Sequence, residues 1–369
     1  MEIKTVPFFN YPYVYSDDED RILDIIADVG RRGAFIMQED LTTIESNIAS
    51  YCNTKYAVGV ANATDGLQLG LMAGGIGKDD EVIFCSHTMV ATASAIYFAG
   101  GVPVPINTNE AHTLDVEDIE RVITPKTRAI MPTQLNGRIS DMDAIQRLAN
   151  KHNLLVFEDA AQALGARYKG QYAGTFGVAS AISFYPAKTL GCLGDAGIVL
   201  TNDDEVYAKL LQLRDHGRDA TGEVVSWGMN SRLDNLQAAI LDFRFKSYKK
   251  TIQRRRAIAS QYHSQLSHLN ELKLPPSPDG EGDYFDVFQN YEVEAEDRDK
   301  LREFLSERGV GTILQWGGKA VHQFKKLGFT NSLPYTEALF EKMFLLPLHL
   351  AMSDDDVSYV AHCIDKYYR

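Results

Sequence analysis

The amino-acid sequence predicts an α/β protein that has a mainly parallel sheet in a large domain and a smaller α+β domain at its C-terminus. Seven short apolar runs are separated by helix-like segments such as 67–73 and 142–152. Strands that are apolar throughout are typically buried on both faces, and their alternation with helices is typical of a doubly wound sheet. The seven runs are residues 58–61, 82–85, 103–106, 128–131, 154–158, 181–184 and 197–200.

Length and composition agree with this class. A chain of 369 residues can form one large domain and a second, smaller one. Its hydrophobic content of 45% and charged content of 24% are ordinary for a globular protein. The net charge of −13 argues against a nucleic-acid-binding or anionic-membrane surface, because phosphate-rich partners attract positive charge.

The cysteines and the N-terminus predict a cytoplasmic protein. Cys52, Cys85, Cys192 and Cys363 lack the spacing of metal ligands, so we expect reduced thiols and no metal site. Residues 1–5 contain no apolar signal core, and no apolar run reaches the roughly 18 residues that a membrane span needs. We therefore expect neither secretion nor membrane insertion.

The first helix is predicted from a start signal, a periodic stripe and a stop signal. Ser16 and Glu19 have the spacing of a capping box, and Gly30 can end the helix. Between them, apolar residues recur at helical intervals, which predicts one buried face. These residues are Ile22, Ile25, Ile26 and Val29.

The pattern changes beyond about residue 234. Residues 234–269 read as one long helix that leaves the large domain, and the proline-rich stretch 275–280 is a break. A small α+β domain then follows, with strands at 284–293 and 311–316, a helix at 297–308, and a last helix capped by Ser353. We expect a large domain over 15–240 and a small domain over 241–369. Residues 1–14 would pack beside the small domain or cross to a partner.

Polar residues follow several predicted strands at the same edge of the sheet. Asp159, Ser183 and the turn 62–65 all come at carboxyl ends, where α/β sheets bind ligands. Thr64 and the backbone of Ala63 would open a helix, whose free N–H groups suit a phosphate. An ordinary N-cap threonine explains Thr64 equally well, and Ser183 could be only a small residue in a buried strand.

Lys188 is the strongest single indicator of chemistry. It ends the motif Ser-Phe-Tyr-Pro-Ala-Lys and precedes a glycine-rich turn at 190–197. A buried, deprotonated lysine amine can form a Schiff base with pyridoxal phosphate (PLP), whereas a surface lysine in a loop is the ordinary alternative. Asp159, upstream, could keep the pyridine nitrogen of PLP protonated, or could merely cap a helix. The interval between them leaves room for one crossover and the next strand, which favours the functional interpretation.

The chain resembles the DegT/StrS-type nucleotide-sugar aminotransferases, which have PLP fold type I. The resemblance covers nearly the whole length, and the order and spacing of the short motifs make it specific. The matching motifs lie at residues 33–36, 56–60, 64–67, 80–83, 91–93, 141–143, 158–162 and 183–188. The sugar-dehydratase branch of this family has histidine at the lysine position, so Lys188 favours amino transfer.

The resemblance implies a role for each matching cofactor residue. Lys188 would form the Schiff base, Asp159 would pair with the pyridine nitrogen, and Gln162 would contact the ring hydroxyl. Ala63, Thr64 and Ser183 would hold the phosphate.

Other matching positions imply a substrate site and a partner subunit. Asn230 would reach the phosphate of the neighbouring subunit's cofactor, which requires a homodimer with shared active sites. Arg232 would lie near the sugar-nucleotide or amino-donor site. Trp316 and His322 match a stretch that often lines the sugar site.

Two positions depart from the family pattern. Met89 stands where the family usually has an aromatic residue stacked on the cofactor ring, although a methionine sulfur can also contact a ring. His87 could share that stacking role. Ala63 replaces a glycine and would crowd the phosphate loop slightly.

The implied activity is amino transfer in two half-reactions. An amino acid, expected to be L-glutamate, would convert PLP to pyridoxamine phosphate (PMP), which would then aminate a keto group of a nucleotide-linked deoxysugar. Such amino sugars enter surface polysaccharides, including O-antigens, or secondary metabolites. The alternatives are a non-catalytic regulatory protein with a PLP fold and another fold-type-I enzyme that acts on amino acids.

Overall fold

The computed structural model describes residues 3–280 and 282–369, and its centre is a seven-stranded sheet. Every predicted apolar run overlaps one strand of this sheet, so the predicted α/β class is confirmed. In chain order the strands are β1 (Tyr56–Val60), β2 (Glu81–Cys85), β3 (Val102–Ile106), β4 (Thr127–Met131) and β5 (Leu155–Asp159), then the hairpin β6 (Arg167–Tyr168) and β7 (Gln171–Tyr172) outside the sheet, and finally β8 (Ala179–Ser183) and β9 (Gly197–Thr201).

The sheet has the spatial order β1-β9-β8-β5-β4-β2-β3. Strand β9 runs antiparallel to both of its neighbours, and the other pairs are parallel. Because β5 and β8 are adjacent and parallel, Asp159 and Ser183 end at the same edge of the sheet. The loop that carries Lys188 leaves from that edge.

Helices cover both faces of the sheet. Val82 and Phe84 belong to one hydrophobic cluster, and Ile83 and Cys85 belong to another. Since successive strand residues point to opposite faces, these clusters are the two cores of the large domain. The helices before the C-terminal part are α1 (Tyr11–Ser16), α2 (Glu19–Arg32), α3 (Glu39–Cys52), α4 (Ala63–Ala73), α5 (Val90–Phe98), α6 (Val116–Val122), α7 (Met142–His152), α8 (Asp204–Arg214) and α9 (Asn235–Phe245).

The predicted capping box of the first helix is wrong. Ser16 is the last residue of α1, and Glu19 is the first residue of α2. Helix α2 also continues past Gly30 and ends at Gly33, whose φ of 62° is the left-handed conformation of a C-cap. The sequence pattern missed α1 because a six-residue helix has no room for a periodic stripe.

The C-terminal part has a separate core and a three-stranded antiparallel sheet. The sheet order is β10-β12-β13, whereas β11 pairs with the β6–β7 hairpin. The elements are α10 (Tyr248–Leu266), β10 (Leu272–Lys273), β11 (Tyr284–Phe285), β12 (Tyr291–Ala295), α11 (Arg298–Glu307), α12 (Pro334–Lys342), β13 (Met343–Leu346) and α13 (Asp354–Tyr368). Ser353 caps α13, as predicted, and it does so in a capping box with Asp356.

Three expectations for this part need correction. The helix predicted over 234–269 is two helices, since α9 ends at Phe245 and α10 begins at Tyr248. The strand predicted over 284–293 is divided between two sheets. The strand predicted over 311–316 is a single bridge from Ile313 to Leu345. A 3₁₀ turn follows that bridge, and Trp316 has a φ of 55° there, which turns the chain away from the sheet.

The N-terminal segment contacts the C-terminal part. Val6 bridges Val310, Lys4 Nζ lies 2.5 Å from Asp356 Oδ1, and His349 Nε2 is 3.0 Å from the Pro7 carbonyl oxygen. Met1 and Glu2, also in the predicted 1–14 segment, lie outside the described residues. Helix α9 spans residue 240, the predicted boundary between the two domains. The division into domains at this residue stays a prediction.

All four cysteines are buried and unpaired. In residues 3–280 and 282–369, no helix is long and apolar enough to cross a membrane. Across the same two ranges, no three His, Cys, Asp or Glu side chains are arranged to hold a metal ion.

Candidate active site

Lys188 lies on the irregular loop between β8 and β9. Its backbone N–H donates to the Tyr185 carbonyl oxygen at 2.8 Å, so the loop begins with a tight turn. Burial lowers the pKa of the Lys188 amine to about 8, and the charge of Asp159 opposes that shift. A larger share of this amine than of an ordinary lysine is therefore neutral near neutral pH, and the neutral form is the one that attacks an aldehyde. Lys188 is one of the residues that line a pocket, together with Phe9, Tyr13 and His349.

Asp159 is buried at the end of β5, and two donors fix its carboxylate. Thr92 donates its hydroxyl to Oδ2 at 2.6 Å, and the Ala161 N–H donates to Oδ1 at 3.2 Å. Burial raises the pKa of Asp159, while Thr92, Ala161 and Lys188 act against that rise. No helix begins directly after Asp159 in the described chain, because residues 161–165 form turns. The helix-cap alternative therefore lacks the helix that it requires.

A series of hydrogen-bonded threonine hydroxyl groups leads to this carboxylate. Thr88 and Thr92 share a hydrogen bond of 2.7 Å, and Thr133 donates to Thr88 at 2.9 Å. Thr88 and Thr92 are almost fully buried. The orientation of the Asp159 carboxylate is thus set by groups from three neighbouring parts of the sheet edge.

The N-terminus of α4 provides free backbone donors beside β8 and β9. Asn62, not Thr64, is the N-cap: its side chain accepts from the Asp65 N–H at 2.9 Å. The N–H groups of Ala63 and Thr64 point out of the first turn, where an anion is favoured. Gly197 lies so close that a Cβ on it would be 2.7 Å from the Ala63 nitrogen.

Ser183 completes this group, because it pairs with Gly197 across β8 and β9. Its hydroxyl oxygen accepts the Tyr185 N–H at 3.3 Å. The structure therefore brings Ala63, Thr64 and Ser183 to one corner of the sheet edge. These three residues are the predicted phosphate ligands.

Gln162 and Met89 occupy two further positions near this edge. Gln162 is buried, and its Oε1 accepts the Asn136 N–H at 2.8 Å, so its Nε2 is the end left to donate to a ligand. Met89 directly precedes α5, the helix that carries Thr92, and is 46% exposed. His87 is fully buried against the Phe340 ring at 4.9 Å, which places it in the interior rather than at the open edge.

Asn230 and Arg232 lie on a separate, exposed loop. Asn230 bridges Asp215, and Arg232 Nη1 donates to Asp215 Oδ1 at 3.0 Å. The preceding residues expose apolar side chains, including Val224 and Trp227, the latter 95% exposed. Asn230 and Arg232 therefore lie beside an apolar surface of this loop.

His322 and Trp316 lie in the C-terminal part of the chain, where the His322 side chain and the Trp316 Nε1 are buried. The His322 ring is fully buried, with Nδ1 2.7 Å from Ser86 Oγ and Nε2 3.1 Å from Glu337 Oε1. Both nitrogens thus have partners, and the ring fixes the segment that leads to Thr88. Trp316 packs against the small hydrophobic cluster that includes Phe340, and its Nε1 is buried without a hydrogen-bond partner in the described chain.

Sequence reasoning missed Thr92 and Asn136. Thr92 lies in the family motif at 91–93, and its spacing after the strand end was an available signal. Asn136 had no signal, because its φ of 55° and its contact with Gln162 depend on the turn that follows β4.

The residues at this edge fit PLP. A desolvated amine, a buried carboxylate and a helix N-terminus lie along one sheet edge. They match the aldehyde, the pyridine nitrogen and the phosphate of PLP. In the described chain the Lys188 amine makes no hydrogen bond, so it is available for a ligand.

Comparisons with known proteins agree on one family. The model of the DegT/DnrJ/EryC1/StrS aminotransferase family matches residues 16–365. The dTDP-3-amino-3,4,6-trideoxy-alpha-D-glucose transaminase of Streptomyces venezuelae is 41% identical over 94% of this chain and 92% of its own. A pleiotropic regulatory protein of Geobacillus stearothermophilus is 35% identical over 99% of each chain.

A solved structure extends the agreement to the fold. The crystal structure of S. venezuelae DesV in complex with a ketimine intermediate has a TM-score of 0.93 to this chain. The two sequences are 37% identical, and the alignment covers 98% of each chain.

Proposed function

This chain belongs to the DegT/DnrJ/EryC1/StrS aminotransferase family, and we propose that it transfers an amino group from L-glutamate to a keto group of a nucleotide-linked deoxysugar. It is a PLP-dependent sugar aminotransferase of amino-sugar biosynthesis. The observation that carries the proposed amino transfer is the pair formed by Lys188 and Asp159. Both groups are desolvated, Asp159 at the end of β5 as a fixed carboxylate and Lys188 on the loop that follows the adjacent strand β8 as an amine with a lowered pKa.

The residues of the site have separate tasks. When bound, PLP supplies an electron sink for negative charge on the carbon next to the amino nitrogen. Lys188 Nζ, with its pKa lowered to about 8, can take a proton from that carbon and return one. The Asp159 carboxylate, fixed by Thr92 and Ala161, would hold a proton on the pyridine nitrogen.

The phosphate and the ring hydroxyl would have their own partners. The N–H groups of Ala63 and Thr64 and the hydroxyl of Ser183 would bind the phosphate. The Nε2 of Gln162 would donate to the ring hydroxyl, because its Oε1 already accepts from Asn136. Met89 would contact the ring through its sulfur.

We further propose a homodimer in which the exposed loop before Asn230 reaches the partner's site. The support is its exposed apolar surface, which includes Trp227 and Val224, next to the polar side chains of Asn230 and Arg232. An isologous interface would offer this loop twice. Arg232 would then serve the sugar-nucleotide or amino-donor site, and Trp316 would line the sugar site. His322 would act by holding Ser86 in place.

The regulatory name of the Geobacillus relative makes a non-catalytic role the second candidate. Such a role would not require a lysine with a lowered pKa beside a fixed carboxylate. We propose that the reaction takes place in the cytoplasm and that its amino sugar enters a surface polysaccharide or a secondary metabolite.

The test is mass spectrometry of the products formed from isotope-labelled L-glutamate and a panel of dTDP-, UDP- and GDP-linked ketosugars. We expect the label in the amino group of at least one nucleotide sugar. A protein that binds PLP and yet labels none of these sugars, but releases a keto acid or another product from glutamate, would contradict the proposed acceptor.

A further inference from the structure

Gln289 lies between β11 and β12, and its side chain contacts the loop that carries Lys188. Its Oε1 accepts the Thr189 N–H at 2.8 Å, and its Nε2 donates to the Ala187 carbonyl oxygen at 2.9 Å. One amide thus holds the peptide groups on both sides of Lys188. Gln289 is only 6% exposed, so neither bond is open to competition from bulk water.

These bonds matter because Lys188 has no regular secondary structure to hold it. Its loop leaves the sheet after β8 and returns only at β9. Fixing the preceding carbonyl and the following N–H fixes the Cα of Lys188 and the direction of its side chain. Thr189 adds a hydroxyl contact with the Tyr248 hydroxyl at 2.7 Å.

Gln289 is itself rigidly held. Arg255 is buried, and it donates to the carbonyl oxygens of Phe288 at 2.9 Å and of Gln289 at 2.6 Å. The Gln289 N–H donates to the Asn136 carbonyl oxygen at 2.9 Å. Gly137 permits this approach, since a Cβ there would lie 2.9 Å from the Gln289 nitrogen.

The same segment also reaches the other side of the cofactor site. Asn290 Nδ2 donates to Asn136 Oδ1 at 2.8 Å, and the Asn136 N–H donates to Gln162 Oε1 at 2.8 Å. Residues 289 and 290 therefore connect Lys188 and Gln162, which lie on different loops. This segment therefore adds a second connection to the one made by the adjacent strands β5 and β8.

We propose that Gln289 is a positioning residue that aims the Lys188 amine at the PLP aldehyde by clamping both flanking peptides. The inference rests on the proposed role of Lys188 as the residue that PLP modifies. Gln289 touches neither cofactor nor substrate in this account. Its effect reaches the reaction through the backbone of Lys188.

The chemistry of the amide suggests two variants. A carboxylate has acceptors only, so Gln289→Glu would place a second acceptor against the Ala187 carbonyl oxygen. A protonated carboxyl group regains one donor, and burial raises the pKa of a carboxyl group, so acid should restore the clamp. Gln289→Met has a similar length, adds no charge and forms neither bond.

The loop also offers a matched control. Gln237 makes the same two-way contact with Leu193, accepting its N–H at 2.9 Å and donating to its carbonyl oxygen at 3.1 Å. Gln237→Glu therefore removes an equivalent clamp from the same loop without touching the peptides of Lys188.

The experiment compares two ligands of the full-length protein after its cofactor has been removed. PMP has an amine in place of the aldehyde and cannot react with Lys188, so its dissociation constant reports the non-covalent site. PLP retention after borohydride reduction, followed by intact mass over time, reports the reactivity of Lys188. For Gln289→Met and Gln289→Glu we expect PMP affinity within about threefold of wild type and PLP attachment slowed about 10²-fold, the scale of a 1 Å misplacement.

Two further results are expected. The rate for Gln289→Glu, expressed relative to wild type at each pH, should recover as the pH falls, and that for Gln289→Met should not. Gln237→Glu should keep both readouts within about threefold, since its clamp is remote from the amine.

The proposal is overturned if both Gln289 variants attach PLP at the wild-type rate. It is also overturned if they lose PMP affinity in parallel, or if Gln237→Glu slows attachment equally, because Gln289 would then only support the fold. Wild-type protein that fails to retain PLP would instead refute the role of Lys188 itself.

Discussion

The site has two walls that use hydrogen bonds in opposite ways. The sheet wall, formed by Lys188, Asp159 and the start of α4, leaves groups free for a ligand. At the C-terminal wall, represented by Gln289 and His322, both polar ends of each of these two side chains are engaged within the protein. The difference agrees with the roles that we propose, in which the sheet wall performs the chemistry and the C-terminal wall fixes the geometry.

The pKa shifts of buried groups also differ between the two walls. Burial lowers the pKa of Lys188 and raises that of Asp159, so both are moved toward their neutral forms. At the C-terminal wall, burial also opposes charge on Glu292, but His87 and His112 outweigh it and lower the pKa of Glu292. Burial without a close ion-pair partner shifts a group toward its neutral form, whereas burial beside groups of opposite charge stabilises the charged form.

Removing the amine of the sheet wall should have the largest effect. Lys188→Ala should abolish label transfer from glutamate to a nucleotide ketosugar, because the amine that we propose as the proton carrier is removed. Lys169→Ala is the matched control, since Lys169 is an exposed lysine paired with Asp143 at 2.5 Å. Mass spectrometry of the products measures label transfer by the two variants. Equal labelling by both would contradict the proposed role of Lys188 and with it the distinction between the two walls.

The carboxylate of the sheet wall should rank second. Asp159→Asn keeps the shape and the Thr92 contact but removes the charge that holds a proton on the pyridine nitrogen. Turnover should fall about 10²-fold or more, the usual scale for such groups, while PMP still binds. Steady-state kinetics with a PMP-binding control measures this, and near wild-type turnover would reduce Asp159 to a structural residue.

The same division explains what the sequence could predict. Lys188, Asp159 and Ser183 follow apolar strands, and strand ends can be located from local periodicity alone. The clamp by Gln289 could not be found, because its partner Thr189 is 100 residues away in the chain. Sites built on strand ends are local in sequence, and the supports that position them are not.

Long-range contacts also explain why parts of the fold were predicted wrongly from the sequence. The predicted strand at 311–316 had a suitable composition, but only Ile313 finds a sheet partner before Trp316 turns the chain. Ser16 and Glu19 had capping-box spacing, yet they belong to two different helices. Composition and spacing describe what a segment can form, and the rest of the chain decides which form is used.

A subunit-mixing experiment tests whether the partner subunit contributes to the active site in addition to the two walls. Lys188→Ala protein and a protein lacking residues 216–230 should each be inactive. Heterodimers would have one site with both intact parts, so equal mixing should restore about a quarter of wild-type turnover. Native mass spectrometry confirms subunit exchange; heterodimers without activity would mean that Asn230 does not serve the partner's site.

The smallest expected effect concerns stability at the C-terminal wall. Burial would lower the pKa of His112, but Glu292 and Glu294 outweigh it and raise the pKa to about 9. Lys273 pairs with Glu294, and His87 lies 6.0 Å from His112 between ring centroids, with its own pKa lowered to about 4 by burial. Charged His112 should therefore stabilise the fold at neutral pH.

His112→Gln should lower the free energy of unfolding by about 1–3 kcal/mol below pH 6.5, the ordinary pKa of histidine. The folded-state pKa is raised, so this stability is fully present below 6.5 and is lost as pH rises through about 9. Urea unfolding of both proteins across this range measures the difference. A difference that grows with rising pH would contradict the charged form of His112.

The proposed role of Lys188 is tested most directly by finding the lysine to which PLP becomes attached. Wild-type protein should be loaded with PLP, reduced with borohydride, digested and mapped by mass spectrometry. We expect the reduced cofactor on the peptide that contains Lys188 and on no other lysine peptide. Attachment at another lysine, or loading without any attachment, would contradict the assignment of chemistry to the sheet wall.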